Sequence, residues 1–141
     1  MTKGTFPRPL PIPQPESEFY WHKARAHELW LRRCTACRTT YFYPRDICPA
    51  CFSRETTWIQ ASGRGMLYSF TIVHRSPHPA FKDAVPYVVA LVELEEGARL
   101  PANLVGVEPD PTKIRIGMAV EVVFEDVTPE ATLPQFKLVT G

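Results

Sequence analysis

The sequence predicts a mainly β protein with a short N-terminal helix, a four-cysteine metal-binding ribbon and a C-terminal barrel of five strands. Three observations support this prediction. The chain has 141 residues, 45% of them apolar and 22% charged, which suits one small folded unit. All four cysteines fall between residues 34 and 51. After residue 56, short β-branched and aromatic runs alternate with glycines.

Residues 1–15 are expected to form an extended arm. Five prolines occupy every second position of its second half: Pro7, Pro9, Pro11, Pro13 and Pro15. Each proline fixes φ and lacks a backbone donor, so the segment cannot form a helix or a central strand. Two alternatives stay open, because the arm can lie along its own protein or dock on a partner subunit.

Residues 16–33 are predicted to form the N-terminal helix. Ser17 is a suitable N-cap, and apolar residues follow at roughly helical spacing, among them Tyr20 and Ala24. The segment is rich in aromatic side chains, which indicates packing in a core or an interface. Its last residues, with the sequence LWLRRC, fit the start of a strand equally well.

The cysteines form two CxxC pairs, Cys34 with Cys37 and Cys48 with Cys51, inside a predicted ribbon of residues 34–55. Zinc binds four thiolates as a tetrahedron, and each CxxC turn supplies one side of it. The intervening residues include TYFYPRDI, which fits a hairpin. Structural zinc is the prediction, and iron stays open because a four-cysteine site also suits it. Two disulfides are disfavoured in the expected cytoplasmic setting.

Residues 56–141 are predicted to form a barrel of the OB-fold type. The strand-like runs are WIQASG, GMLYSFTIV, PYVVALVEL, RLPANLVG, KIRIG, AVEVVFEDV and QFKLVT. They are punctuated by glycines and carry no helical pattern between them. About 85 residues of short strands suit a five-stranded closed barrel.

Charge and motifs limit the functional classes. The formal net charge of +1 conceals seven basic residues across 20–54 and nine acidic residues across 91–130. The acidic barrel half argues against a groove that follows nucleic-acid phosphates. No apolar run is long enough for a membrane span, and the N-terminus lacks a signal-peptide pattern, so a cytoplasmic protein is expected. No nucleotide-binding, nucleophile-elbow or zinc-protease motif occurs.

One loop between two predicted strands carries a candidate ligand site. The segment VHRSPHPAF places His74, Arg75 and Phe81 close together in the sequence. They can line the mouth of a binding site, or the segment can be a surface loop stiffened by proline. No cysteine remains as a nucleophile once four bind a metal. The chain is therefore not expected to be catalytic alone.

The ordered motifs SGRG, YSFT, VH, HPAF, PYVVALVEL, IG and VFED, following CTAC and CPAC, closely resemble the DUF35 family over residues 18–137. This resemblance implies a rubredoxin-like zinc ribbon joined to an OB-fold and a link to acyl-CoA metabolism. The family's metal ligands correspond to Cys34, Cys37, Cys48 and Cys51. No catalytic residue transfers.

The resemblance also implies a function. Its members act as small non-catalytic partners of thiolase-superfamily enzymes, namely thiolases, acyltransferases and retro-aldolases. They stabilise the catalytic subunit in a heterotetramer or larger complex and help to form the CoA channel. Alternatives are a partner of a MaoC-type enoyl-CoA hydratase and a nucleic-acid-binding module. Candidate contacts with a CoA ester or with the partner are Arg32, Arg33, Arg45, His74, Arg75 and Phe81.

Overall fold

The computed structural model describes residues 8–139, and the first seven residues of the predicted arm lie outside them. One α-helix, eight strands and a short 3₁₀ helix (Pro79–Phe81) make up the described chain. The helix and strands are α1 (Glu18–Arg25), β1 (Trp30–Cys34), β2 (Thr40–Tyr41), β3 (Thr56–Gln60), β4 (Arg64–Val73), β5 (Tyr87–Leu94), β6 (Arg99–Val105), β7 (Ala119–Thr128) and β8 (Ala131–Leu138).

The five C-terminal strands close into a barrel in the order β4-β5-β6-β8-β7. Every pairing is antiparallel except β6 with β8, which is parallel and joins Leu104 to Phe136. Strand β4 is long and bulged between Leu67 and Ser69, which lets it contact both β5 and β7. The predicted mainly β fold with a five-stranded OB-fold barrel is confirmed.

The ribbon contains a three-stranded sheet in the order β2-β1-β3. Residues 56–60, which the sequence assigns to the barrel, pair with the ribbon in the structure: β3 lies beside β1 from Trp30 opposite Gln60 to Cys34 opposite Thr56. The alternating sequence of β3 shows that it is a strand but does not show which neighbour it pairs with. The barrel begins only at Arg64.

The predicted helix over residues 16–33 is also too long. It ends at Arg25, where the His27 N–H donates to the Ala24 carbonyl (2.9 Å) and the Glu28 N–H donates to the Lys23 carbonyl (2.9 Å). This bond pattern is a Schellman C-cap, and His27 takes the left-handed conformation it requires, with φ of 61°. The LWLRRC segment then forms β1, the alternative that the sequence left open.

The described part of the N-terminal arm forms no helix or strand from residue 9 to residue 14. It lies against the barrel at one end, where Arg8 pairs with Glu125 of β7 (3.3 Å) and sits 5.8 Å from the ring centre of Phe81. Ile12 is 78% exposed. An extended arm that contacts its own protein fits these contacts, and docking on a partner stays a prediction.

One hydrophobic core joins the helix, the ribbon sheet and the barrel. Its largest fully buried barrel side chains include Phe136, Leu67 and Leu100. The N-terminal half adds Tyr20, Leu29 and Leu31 to the same cluster. The ribbon is therefore packed against the barrel as part of one folded unit.

Within residues 8–139, no helix is long and apolar enough to cross a membrane.

A polar contact also fastens the end of α1 to the barrel. The His27 Nε2 atom lies 3.0 and 3.1 Å from the two carboxylate oxygens of Asp126, and its ring stacks on Phe124 at 5.0 Å. The Thr132 hydroxyl donates to the same carboxylate at 2.6 Å. The hydrogen bonds from Thr132 and His27 lower the pKa of Asp126.

Gly65 is expected to be intolerant of a side chain. A Cβ atom there would overlap the backbone carbonyl of Glu93 on β5. We expect Gly65→Ala to lower the melting temperature by about 5–10 °C, since strands β4 and β5 would have to separate. The comparison variant is Gly106→Ala. A Cβ atom at Gly106 would meet no atom within 4 Å, so the only strain there comes from the left-handed φ of 72°. Equal losses in the two variants would contradict the close-contact explanation.

Asp126→Asn is expected to reduce stability in a pH-dependent way. Because the folded-state pKa of Asp126 is lowered, its contribution is present above the unfolded pKa and is lost as pH falls through the folded value. The melting-temperature gap between wild type and variant should be a few degrees at pH 6 and should narrow as the pH falls below the ordinary aspartate pKa of about 3.9. Glu130→Gln is the control, because that carboxylate forms no ion pair within residues 8–139. A gap that widens on acidification would contradict the account.

Candidate metal centre

The first cysteine pair lies on a tight turn at the end of β1. The Cys34 N–H donates to the Thr39 carbonyl (2.9 Å), and the Arg38 N–H donates to the Cys34 carbonyl (2.8 Å). The Cys37 N–H points at the Cys34 sulfur at 3.4 Å. Arg38 has φ of 68°, which lets the chain reverse immediately after Cys37. A backbone donor is thus directed at a sulfur that would carry negative charge as a metal ligand.

The second pair repeats the same turn. The Cys48 N–H donates to the Ser53 carbonyl (2.9 Å), and the Phe52 N–H donates to the Cys48 carbonyl (2.9 Å). The Ala50 N–H points at the Cys48 sulfur at 3.3 Å. Phe52 has φ of 65°, matching the left-handed residue of the first turn. We call the two turns the first knuckle (residues 34–39) and the second knuckle (residues 48–53).

The knuckles bring all four sulfur atoms within 4.8 Å of one another. The Sγ atoms of Cys34 and Cys51 are 3.6 Å apart, as are those of Cys37 and Cys48. A zinc–sulfur bond of about 2.3 Å requires sulfur–sulfur distances of about 3.8 Å in a tetrahedron. All four cysteines are free thiols, and this four-cysteine zinc-ribbon site fits a structural zinc ion.

Two of the thiols differ in proton affinity. Hydrogen bonds from the side chain and the backbone of Thr39 lower the pKa of Cys37 to about 6. The Ser53 backbone acts to lower the pKa of Cys51, but the hydrogen bond with Cys34 and desolvation outweigh it and raise that pKa to about 12. Four thiolates this close repel one another without a cation, so full ionisation requires a metal.

The predicted ligand contact Arg32 is occupied within the chain. Its guanidinium donates to the Thr56 hydroxyl, lies 3.9 Å from the Asp46 carboxylate and stacks 4.9 Å above the centre of the Trp58 ring. Arg33 follows it on β1, and neighbouring strand residues point to opposite faces. The two arginines therefore do not face one ligand together.

Arg33 and Arg45 also have partners on the ribbon. The Arg33 Nε donates to the Thr40 hydroxyl at 2.9 Å. Arg45 pairs with Glu16 at 3.1 Å and lies 5.6 Å from the ring centre of Tyr43. These contacts give both side chains a role in fastening the ribbon strands and the start of α1.

The other three predicted contacts lie in the loop between β4 and β5. His74 and Arg75 are exposed, and neither forms an ion pair within residues 8–139. Phe81 is half-buried and packs at 6.0 Å against Tyr87 and at 5.9 Å against His78. No hydrogen bond, ion pair or ring contact among residues 8–139 joins this loop to the ribbon arginines, so the six predicted contacts share no such network.

The sequence did not identify a groove of about 410 Å³ between the ribbon and the barrel. One side is aromatic, where the Trp21 Nε1 donates to the Tyr43 hydroxyl at 2.9 Å. The other side is formed by residues of β5, β6 and β8, among which Asn103 and Gln135 are the polar ones. The aromatic runs FYW and YFY were a signal for packing, but only the fold shows that they border an open groove. The remaining lining residues are Tyr20, Phe42, Val89, Leu100, Pro101, Ala102, Leu133 and Pro134.

Family models match both parts of the chain. Residues 21–57 match a model described as the rubredoxin-like zinc ribbon domain of ChsH2, and residues 58–125 match its C-terminal OB-fold domain. A solved structure described as "Ltp2-ChsH2(DUF35) aldolase" superposes with a TM-score of 0.77 at 43% identity. That match covers 91% of this chain and 98% of the solved chain.

Two curated relatives extend the comparison. A DUF35 domain-containing scaffold protein of Methanothermobacter thermautotrophicus is 39% identical over 110 residues, which are 77% of this chain and 80% of that protein. A probable enoyl-CoA hydratase alpha subunit of Thermomonospora curvata is 45% identical over 130 residues, or 92% of this chain. The chain spans only 40% of that second relative.

Removal of one cysteine is expected to release the metal. We expect the purified wild-type chain to carry one zinc ion, and Cys48→Ser to lose it and to melt at least about 10 °C lower, because metal binding supplies folding free energy. Elemental analysis distinguishes zinc from iron, and thermal melts report stability. Ala50→Ser, in the same knuckle, is the control that keeps four thiols. Full metal content and unchanged melting in Cys48→Ser would refute the ligand assignment.

Proposed function

The chain belongs to the DUF35 family, and we propose that it serves as the non-catalytic subunit of a thiolase-superfamily enzyme that acts on acyl-CoA. The observation that carries the proposal is its similarity to a solved chain described as part of an Ltp2-ChsH2(DUF35) aldolase. The 43% identity extends over nearly the whole of that chain. Among the three reaction classes expected for the partner, this similarity favours retro-aldol cleavage.

In this proposal Cys34, Cys37, Cys48 and Cys51 bind one structural zinc ion. Four protein ligands complete the tetrahedron and leave no position for water or substrate. The zinc therefore folds the ribbon and takes no part in bond making. It also occupies every thiol of the chain, so no cysteine is left as a nucleophile.

The histidines support assigning the chemistry to another subunit. His27 is held by Asp126, and the His78 Nδ1 accepts the Ala80 N–H as a helix cap at 3.0 Å. His22 and His74 are exposed. Within residues 8–139, no histidine ring is hydrogen-bonded to a serine, threonine or cysteine side chain. The described chain thus lacks the nucleophile and base pair that acyl transfer requires.

The groove between the ribbon and the barrel is the proposed site for the pantetheine part of a CoA ester. Its apolar walls suit an extended chain. The Gln135 side chain accepts the Asn103 N–H at 2.7 Å and the Asn103 amide donates to the Val88 carbonyl at 3.0 Å, so these two residues brace the groove wall. Arg75 of the β4–β5 loop, which forms no ion pair within the described chain, is the proposed contact for a CoA phosphate. We propose that the ribbon arginines have structural roles instead.

A second candidate function is the partner of a MaoC-type enoyl-CoA hydratase. The observation in its favour is the 45% identity to a probable enoyl-CoA hydratase alpha subunit. That relative is much longer than the matched region, so the hydratase chemistry of its name belongs to the whole protein. Both candidates assign this chain the same task, which is to support an acyl-CoA enzyme.

Reconstitution with the partner tests the proposal. Tagged chain is purified from its native cells, the partner is identified by mass spectrometry, and both are then produced separately. We expect a stable heteromer in which acyl-CoA turnover is at least tenfold higher than with the partner alone. The matched variants are Cys48→Ser, which should fail to restore turnover, and Ala50→Ser, which should restore it.

Each result of this experiment has a defined meaning. A thiolase-type partner that needs the chain for turnover supports the proposal. A hydratase partner instead supports the second candidate. A partner that is fully active alone, or an isolated chain that turns over acyl-CoA by itself, contradicts the accessory role.

A further inference from the structure

Phe52 occupies an unusual position in the second knuckle. Its φ of 65° lies in the left-handed region, which favours glycine because a Cβ atom is strained there. The side chain is 75% exposed. Within residues 8–139 its ring makes no aromatic or cation–π contact. A large apolar side chain is thus held in strained backbone and in water, without an aromatic partner in its own chain.

The turn that carries the cysteines explains why residue 52 has a positive φ, but it does not explain why the side chain is a phenylalanine. Arg38 holds the equivalent place in the first knuckle with nearly the same φ, 68°. Both residues donate their N–H to the carbonyl of the first cysteine of their knuckle. Glycine at either position would adopt this turn with less backbone strain. A phenylalanine here therefore indicates a role outside the fold, as strained residues at binding sites often do.

Phe52 borders a second open groove, of about 380 Å³, on the ribbon. Ile47, which is 38% exposed, and Pro49 line the same groove. Together they form an exposed apolar patch on a rigid element, because both sides of the patch are fixed by the knuckle that carries Cys48. Patches of this kind with an aromatic centre are typical of protein–protein contacts.

Charge around the groove indicates the chemistry of the partner. Glu16 pairs with Arg45 at 3.1 Å, and Asp46 lies 3.9 Å from Arg32. Arg54 also lines the groove, is exposed, and forms no ion pair within the described residues. The patch thus combines an apolar centre with one uncompensated positive charge. A complementary surface would present an apolar pocket bordered by a carboxylate.

We propose that the patch of Phe52, Ile47, Pro49 and Arg54 is the surface by which the zinc-bound ribbon docks on the catalytic subunit, in an apolar pocket bordered by a carboxylate. This inference rests on the proposed function. The metal holds the second knuckle in the conformation that presents the phenyl ring. Zinc then acts in assembly as well as in folding, because without it the ring would lose its fixed position.

The test uses the zinc-loaded chain and the purified catalytic subunit identified by reconstitution. Calorimetric titration should give a Kd at least about 30-fold higher for Phe52→Gly than for wild type. The same variant should melt no lower than wild type, since glycine relieves the left-handed strain. Arg38→Gly makes the same backbone change in the other knuckle and should leave the Kd within about twofold of wild type.

Two further variants separate the contributions. Phe52→Asn retains a residue that tolerates the left-handed conformation, and it should weaken binding as Phe52→Gly does while keeping the zinc. Arg54→Glu should raise the Kd about tenfold or more, and the increase should shrink at high salt. Zinc content and melting temperature are measured for every variant, so that lost folding is not mistaken for lost contact.

The outcomes distinguish the inference from the proposed function. Wild type that binds while Phe52→Gly and Phe52→Asn bind equally well overturns the inference and leaves the proposed function standing. An equal loss in Arg38→Gly also overturns it, because the effect would then belong to the knuckle backbone. Wild type that does not bind a thiolase-type subunit contradicts both. Self-association that requires Phe52 would assign the patch to a second copy and overturn the inference.

Discussion

Strand β1 connects the metal centre to the hydrophobic core, and the remaining structure depends on this connection. Leu31, 1% exposed, packs within the same core as the barrel strands. Three residues later, Cys34 is fully buried at the first knuckle. The strand also pairs with both other ribbon strands. Because β1 carries both Leu31 and Cys34, fixing the cysteine at the metal centre also fixes the position of a side chain in the hydrophobic core.

This connection makes a small protein suitable as a scaffold. The closed barrel contributes most of the shared hydrophobic core, so it provides a rigid support, while the ribbon gains its shape from a metal site. The α1 helix is held against the barrel by apolar packing and by the contact between His27 and Asp126. A groove remains open where the ribbon and barrel meet. Under the proposed function, such an arrangement holds a partner and borders a channel.

The sequence revealed the features that depend on local spacing. Two CxxC pairs predicted the metal centre, and alternating runs with glycines predicted the barrel. It did not reveal which sheet β3 joins, because its alternation is compatible with either neighbour. It overextended the helix, since a histidine takes the left-handed C-cap position that glycine usually signals. The strained position of Phe52 was also invisible, because only the folded knuckle shows which residue must adopt a positive φ.

We propose that the chain acts on another protein through a ribbon surface ordered by the metal. Hydrogen–deuterium exchange of the zinc-loaded chain, free and in complex with its catalytic subunit, measures this surface. Complex formation should slow amide exchange in residues 47–54, which span the second knuckle. A stable complex in which these residues exchange as fast as in the free chain, with protection elsewhere, would contradict it.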